Sequence, residues 1–207
     1  MAKNISVLVS AAGWIGGFID KLVKALRERG ISDEEVHALV TERGEQLFAK
    51  IADAVAELAK QAKNFFRLPV IYGPLAPLIE QGKYGSVNSN IADKNFPLPD
   101  ELKKLGKADV QAQLVHYGKQ MGSEEVLKDL DQKGLRAANI WELLMFGIKN
   151  SELQRQFPIV ALGPVWRGRA GGRDVACLWS DGGGRGLYLF WFGLNWGGHY
   201  RFLAVSK

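Results

Sequence analysis

Cysteine is almost absent from this 207-residue chain, where Cys177 stands alone. A lone thiol excludes an intrachain disulfide framework and a cysteine-based zinc site. It fits a reducing, cytoplasmic compartment, as it would a cysteine-poor exported protein. Histidine is scarce too, at three residues. His37 has no second metal ligand spaced beside it, and His116, on a strand pattern, reads as a packed or half-exposed residue. The catalytic signatures are missing: no Gly-x-Ser-x-Gly, no His-Glu-x-x-His and no phosphate loop ending in Gly-Lys-Ser/Thr. The run from Gly182 to Gly186 imitates a phosphate cradle, but no helical pattern follows it. Glu124, Glu125, Asp129 and Asp131 read as surface carboxylates of a helix instead of an acid–base pair. Cys177 has no activating base adjacent in sequence. The chain is therefore read as non-enzymatic, with no cofactor and no metal.

No apolar run is long enough to span a bilayer. Ile5 to Ile19 contains only apolar and small residues, yet it passes directly into an amphipathic pattern over Asp20 to Gly30 without a cleavage site. That continuity points to a buried or oligomerising helix and away from an export or membrane-surface element.

What is present is ordinary globular composition, 47% apolar and 24% charged, so global disorder is excluded. A net charge of +5 permits anionic partners without requiring them. Residues 1–66 read as a helical segment. Gly30 is placed to stop a first helix, and Ser32 to Glu35 forms a capping box that opens a second. Val36, Leu39, Val40, Leu47, Ile51, Val55 and Leu58 make one apolar stripe, interrupted at Gly44. Two helices cannot close a core alone, so this stripe must bury against the rest of the chain or against other subunits.

Residues 67–207 read as an α+β domain. Arg67 to Gly73 is a strand pattern, and Pro69, Pro74 and Pro77 exclude a continuation of the preceding helix. Asp109 to Tyr117 alternates as a strand. Ser123 is placed to cap a helix over Glu124 to Lys133, and Asn139 with Glu142 caps another over Ile140 to Lys149. Ser151 to Phe157 allows one more helical turn. Ile159 to Gly163 is uniformly apolar and reads as a central strand. Val175–Trp179 and Leu187–Phe192 flank a Gly-rich turn and predict a hairpin, with Tyr200–Val205 as the last strand.

Four of the six tryptophans and eleven of the twenty-four glycines lie between Pro158 and Lys207. Arg167, Arg169, Arg173, Arg185 and Arg201 are interleaved with aromatics there, a composition that can pair phosphate contacts with base stacking. A basic nucleic-acid-associated module is therefore the rival reading of this region.

Val87 to Ile91, Asn95 to Pro97, Leu135 to Leu144, Glu152 to Gly163 and Arg201 to Val205 together resemble uncharacterised bacterial proteins. That group resembles in turn the variable proteins of diversity-generating retroelements, whose ligand-binding domains have a C-type-lectin-like fold of the formylglycine-generating-enzyme type. The resemblance covers roughly the final two-thirds of the chain. It implies a lectin-like domain with a small antiparallel sheet and two helices, carrying a variable region at about 166–200. In such systems an error-prone reverse transcriptase randomises template adenines, so asparagine codons become other codons ending in a pyrimidine. Leu187, Leu189, Trp191, Trp196, Arg201 and Phe202 would then be fixed framework. Trp179, Tyr188, Phe190, Gly193, Leu194, Asn195, Gly197, Gly198, His199 and Tyr200 would form the ligand-binding surface, with all but Trp179 free to vary. No calcium site carries over, because only Asp174 and Asp181 stand in the region. The expected function is recognition of an unknown ligand, another protein by preference, with the N-terminal helices serving oligomerisation.

Overall fold

A first helix, α1 (residues 16–27), stops where Gly30 takes a positive φ of 77°. The Gly30 N–H bonds Arg27 O at 2.9 Å and the Ile31 N–H bonds Leu26 O at 3.1 Å, which occupies carbonyls the helix end leaves open. The capping box forms as expected: Ser32 Oγ accepts from the Glu35 N–H at 3.2 Å, and Glu35 Oε2 from the Ser32 N–H at 2.8 Å. It opens α2 (Asp33–Ala62), which kinks at Arg43 (φ −133°, ψ 26°) beside Gly44. Along α2, Val36, Leu47 and Ile51 are half-buried, whereas Val40, Phe48 and Val55 are exposed, Phe48 by 60%.

The computed structural model describes residues 16–62, 65–168 and 171–207. Residues 5–15 of the N-terminal apolar run, Arg169, and the side chains of Leu39 and Leu58 lie outside that description. The chain separates into two compact units, Met1–Lys60 and Gln61–Lys207. Among the described residues no helix is long and apolar enough to cross a membrane.

The second unit is α+β. In chain order it runs β1 (Phe65–Ile71), α3 (Leu75–Gly82), β2 (Ser86–Val87), α4 (Asp100–Leu105), β3 (Lys107–Val115), β4 (Met121–Gly122) and α5 (Ser123–Gln132). It continues with β5 (Leu135–Ala137), α6 (Ile140–Lys149), α7 (Leu153–Gln156), β6 (Ile159–Arg167), β7 (Arg173–Ser180), β8 (Arg185–Trp191), β9 (Asn195–Trp196) and β10 (Arg201–Ser206). Eight strands form one sheet in the order β1-β3-β10-β6-β7-β8-β2, with β5 also on β10, while β4 and β9 pair separately. The sheet is larger than expected, and it is mixed. The last strand inserts between β3 and β6, antiparallel to the first and parallel to the second, and β2 adds parallel to β8.

Three local readings need correction. The first strand begins at Phe65, inside the segment expected to be helical. The preceding helix does not continue through the prolines, but a new one not expected from the sequence begins at them: Pro74 is the N-cap of α3 and Pro77 lies in its first turn, where no intrahelical donor is needed. Gly122, not Ser123, is the N-cap of α5, and its N–H donates to Glu125 Oε2 at 2.8 Å.

Both faces of the sheet carry apolar layers. On one, Leu143, Leu144 and Phe146 of α6 and Leu75 and Leu78 of α3 pack with Leu68, Ile159, Ala176, Leu178, Leu187 and Leu203. On the other, Val126 and Leu130 of α5 pack with Val160, Leu162, Val175, Cys177 and Phe202. Each large side chain so buried stabilises by about 1.5–3 kcal/mol. Within the first layer Glu142 is fully buried, yet satisfied. Its carboxylate accepts from Arg136 at 2.6 and 2.9 Å, from the Tyr72 hydroxyl at 3.2 Å and from the Asn139 N–H at 2.8 Å. Tyr84 is the opposite case. Its buried hydroxyl has no partner among the described residues, and burial pushes its pKa up to about 12.

Arg136→Met is expected to leave the Glu142 charge under-compensated and to lower stability by about 2–3 kcal/mol in urea unfolding. Tyr84→Phe removes an unpartnered hydroxyl and is expected to be neutral or stabilising by about 1 kcal/mol at pH 7. Because the folded pKa of Tyr84 is the higher one, its contribution is intact below about pH 10, the unfolded value, and is lost as pH rises toward 12. The Tyr84→Phe protein should lose less stability across that window, as followed by unfolding at stepped pH.

Candidate functional site

The β7–β8 hairpin turns through Asp181, whose carboxylate accepts from the Gly183 and Gly184 N–H groups at 3.0 and 3.3 Å. Its register pairs Val175 with Phe190, Cys177 with Tyr188 and Trp179 with Gly186. Opposed residues share a face, so these six lie on the α5 side of the sheet. Leu187 and Leu189 point the other way and pack on the first layer. The second row of β8 thus covers another layer only in part. Phe190 packs against it, Phe192 is buried, and Tyr188 and Phe190 stay half-buried.

On this face, aromatic rings from three strands and one turn meet. Trp179 of β7 lies 5.9 Å from Phe190 of β8, and Phe190 lies 6.3 Å from Trp196 and 6.4 Å from Tyr200. Trp196 and Tyr200 stand edge to face at 5.1 Å, and His199 lies 4.5 Å from Tyr200. Trp179, Phe190 and Tyr200 are half-buried and His199 is exposed. The structure therefore brings Trp179, Phe190, His199 and Tyr200 together as one half-exposed aromatic row. Tyr188 is on the same face, but its ring lies over Gly186, toward the hairpin turn. Gly193 and Leu194 stand apart from the row, in a groove of about 250 Å³ beside Ser123, Glu124 and Arg173. Asn195 is exposed and reaches Gln120 at 3.5 Å.

The row rests on a buried anchor that the sequence does not announce. Trp196 donates its indole N–H to Ser123 Oγ at 2.8 Å, and Ser123 in turn donates to Phe192 O. That inward hydroxyl is why Ser123 does not cap its helix. The turn from Gly197 to Tyr200 closes with the Tyr200 N–H on Gly197 O at 3.1 Å and is tied to β3's end by His116 Nε2 on Gly198 O at 2.7 Å. Gly198 differs from the other expected variable positions. A side chain there would come within 2.7 Å of the Gly118 backbone, so packing holds it as glycine. At Gly193 and Gly197 the obstruction is only the ring of Trp191 or His199, and both rings are exposed.

The arginines of the nucleic-acid reading are largely committed inside the domain. Arg185 donates to Gln154 Oε1 at 3.1 Å, Gly82 O at 2.8 Å and Gly147 O at 2.7 Å, and lies over the Tyr84 ring. Arg173 pairs with Glu124 at 3.3 Å and covers Phe192, while Arg201 donates to His199 O and Tyr200 O and covers Phe157. Cys177 is fully buried, and that burial pushes its thiol pKa far up, the reverse of an activated nucleophile. Burial also raises the Tyr200 hydroxyl, with Cys177 adding to the shift. A cavity of about 660 Å³, lined by Val70, Lys107, Met145 and Lys149 among others, contains none of the expected surface residues.

Trp191 was expected to be framework, pointing into the core with Leu187 and Leu189. It is instead 57% exposed, its ring lying over Gly193. Alternation assigns it the right face, but that face has lost its cover by the end of the strand. A glycine two residues on, able to accept a ring laid flat, is the only signal in the sequence.

Ser123→Ala would leave the Trp196 indole N–H without its acceptor in a buried setting. A loss of about 1–3 kcal/mol is expected, measured by urea unfolding followed through tryptophan fluorescence. Comparison with family models, curated proteins and solved structures finds no match for this chain.

Proposed function

We propose that the second unit is a non-enzymatic recognition domain of C-type-lectin-like type, whose C-terminal surface is diversified by a retroelement to bind a protein ligand. The observation that carries this reading is the half-exposed row Trp179, Phe190, Tyr200 and His199. Its members come from separate strands and one turn, the strands held by the sheet and the turn by His116 Nε2 on Gly198 O. Rigid aromatic side chains offer contact area at low entropic cost, and a fixed backbone beneath lets side chains change without loss of fold. The helices α5 and α6, which lie in sequence between β3 and the last strand β10, two strands that pair with each other, support the lectin-like assignment. The exposed apolar positions of α2 support oligomerisation through the N-terminal unit, which would multiply weak binding by avidity. The nucleic-acid alternative is weakened by the internal partners of Arg173, Arg185 and Arg201.

The decisive experiment is genomic. A reverse-transcriptase gene beside this coding sequence is expected, with an imperfect repeat of the region encoding about 166–200 that differs only at adenines. Sequenced variants should change at Tyr188, Phe190, Gly193, Leu194, Asn195, Gly197, His199 and Tyr200. They should keep Leu187, Trp196 and Phe202, and retain glycine at 198. Repeat differences spread over all four bases would overturn the proposal.

A further inference from the structure

The two edges of the main sheet are treated differently. At one edge, β1 carries Pro69 in its middle. Tyr72, just past β1, turns its N–H inward to Gly106 O at 2.8 Å. By alternation the Pro69 nitrogen then faces outward, which is how natural sheets blunt an edge.

The other edge is β8, and it is only half covered. Arg185 O accepts from the Gly85 N–H at 2.7 Å and Leu187 O from the Asn88 N–H at 2.9 Å, so odd-numbered residues of β8 turn their backbone groups outward. Even-numbered residues face β7, as the Phe192 N–H on Arg173 O at 2.7 Å shows for the next residue on. The short strand β2 occupies this edge beside Gly186 and Leu187, in parallel, and then leaves it. Asn88 causes the departure. Its side chain accepts from the Asn90 N–H at 3.0 Å. Its carbonyl, which would take the Leu189 N–H if β2 ran on, accepts from the Ile91 N–H at 2.9 Å. Among the described residues the Leu189 N–H and C=O and the Trp191 N–H therefore have no partner. No lysine, proline or bulge protects the strand there, and the exposed Trp191 marks the same place.

We infer that the Leu189–Trp191 edge of β8 binds an extended segment of another polypeptide, which adds to the sheet as a strand continuing the line that β2 begins. This deepens the recognition reading and rests on it. Backbone bonds to Leu189 and Trp191 would supply affinity common to all ligands. Alternate side chains of the added strand would lie beside Tyr188 and Phe190 on one face and beside Trp191 on the other, where residue identity selects among ligands. An apolar or aromatic residue is the chemistry that fits beside Phe190.

The test uses the full chain and linear random peptides displayed on phage as the probe. Selected peptides, made synthetically, are expected to slow amide hydrogen exchange at Leu189 and Trp191 while leaving the already paired Tyr188 and Phe190 amides unchanged. Trp191→Ala keeps the edge N–H and Trp191→Pro removes it. The proline variant should bind the same peptide about tenfold more weakly than the alanine variant. Peptides that depend on Trp179 and His199 but leave exchange at Leu189 and Trp191 untouched would overturn strand addition and leave the recognition surface standing. If selection gives only peptides indifferent to both the edge and the aromatic row, or none, strand addition and the recognition reading fall together. Should Trp191→Pro fail to fold, the exchange pattern of the unaltered chain decides alone.

Discussion

A sheet whose two faces are both apolar has to be covered twice, and the second unit meets this demand unevenly. The face under α6 and α3 is sealed from β1 across to β8, with Leu68, Ile159, Leu178 and Leu187 all fully buried. The opposite face has α5, whose Val126 and Leu130 pack with Val160, Cys177 and Phe202. The same face continues as Trp179, Phe190 and Tyr200, in contact with one another but only half removed from water. The candidate surface is thus the uncovered remainder of a core layer. Large aromatics suit that position because they bury one side of the ring while presenting the other.

Polar groups inside the domain fix how this remainder is presented. Gln154, almost wholly buried, donates to Trp179 O at 2.8 Å and Gly186 O at 3.1 Å, across the two strands of the hairpin. Arg185 links the same glutamine to the ends of α3 and α6. Each of these groups would be costly to leave unpaired in the interior, so the hairpin is held to the helices by a requirement and not by apolar packing alone. Ser123 plays the same part for the Trp196 turn.

Legibility in the sequence followed the distance between interacting residues. Both capping boxes, at Ser32–Glu35 and Asn139–Glu142, and the hairpin around Asp181 were readable, because their partners lie within a few positions. The central strand β6 was readable from its unbroken apolar run. The position of β10 between β3 and β6 was not, since nothing near Arg201–Ser206 encodes its partners. Ser123 looked like a cap because local spacing cannot reveal an acceptor and a donor about seventy residues away. Period-two alternation placed Tyr188 and Phe190 on a second face correctly, but it could not say where the cover of the first face stops along β8, and so it missed the exposure of Trp191.

The burial of Cys177 has a practical use. The chain's one thiol lies beneath the sheet's second layer, wholly shut off from solvent. A thiol reagent reaches it only when the layer of Val126, Leu130, Val160 and Phe202 around it opens. The rate of labelling by an aromatic disulfide therefore reads out the opening of this part of the core directly, without an engineered probe. The same seclusion gives a clean background on which a cysteine introduced at an exposed position, such as Asn195, would carry the only accessible label.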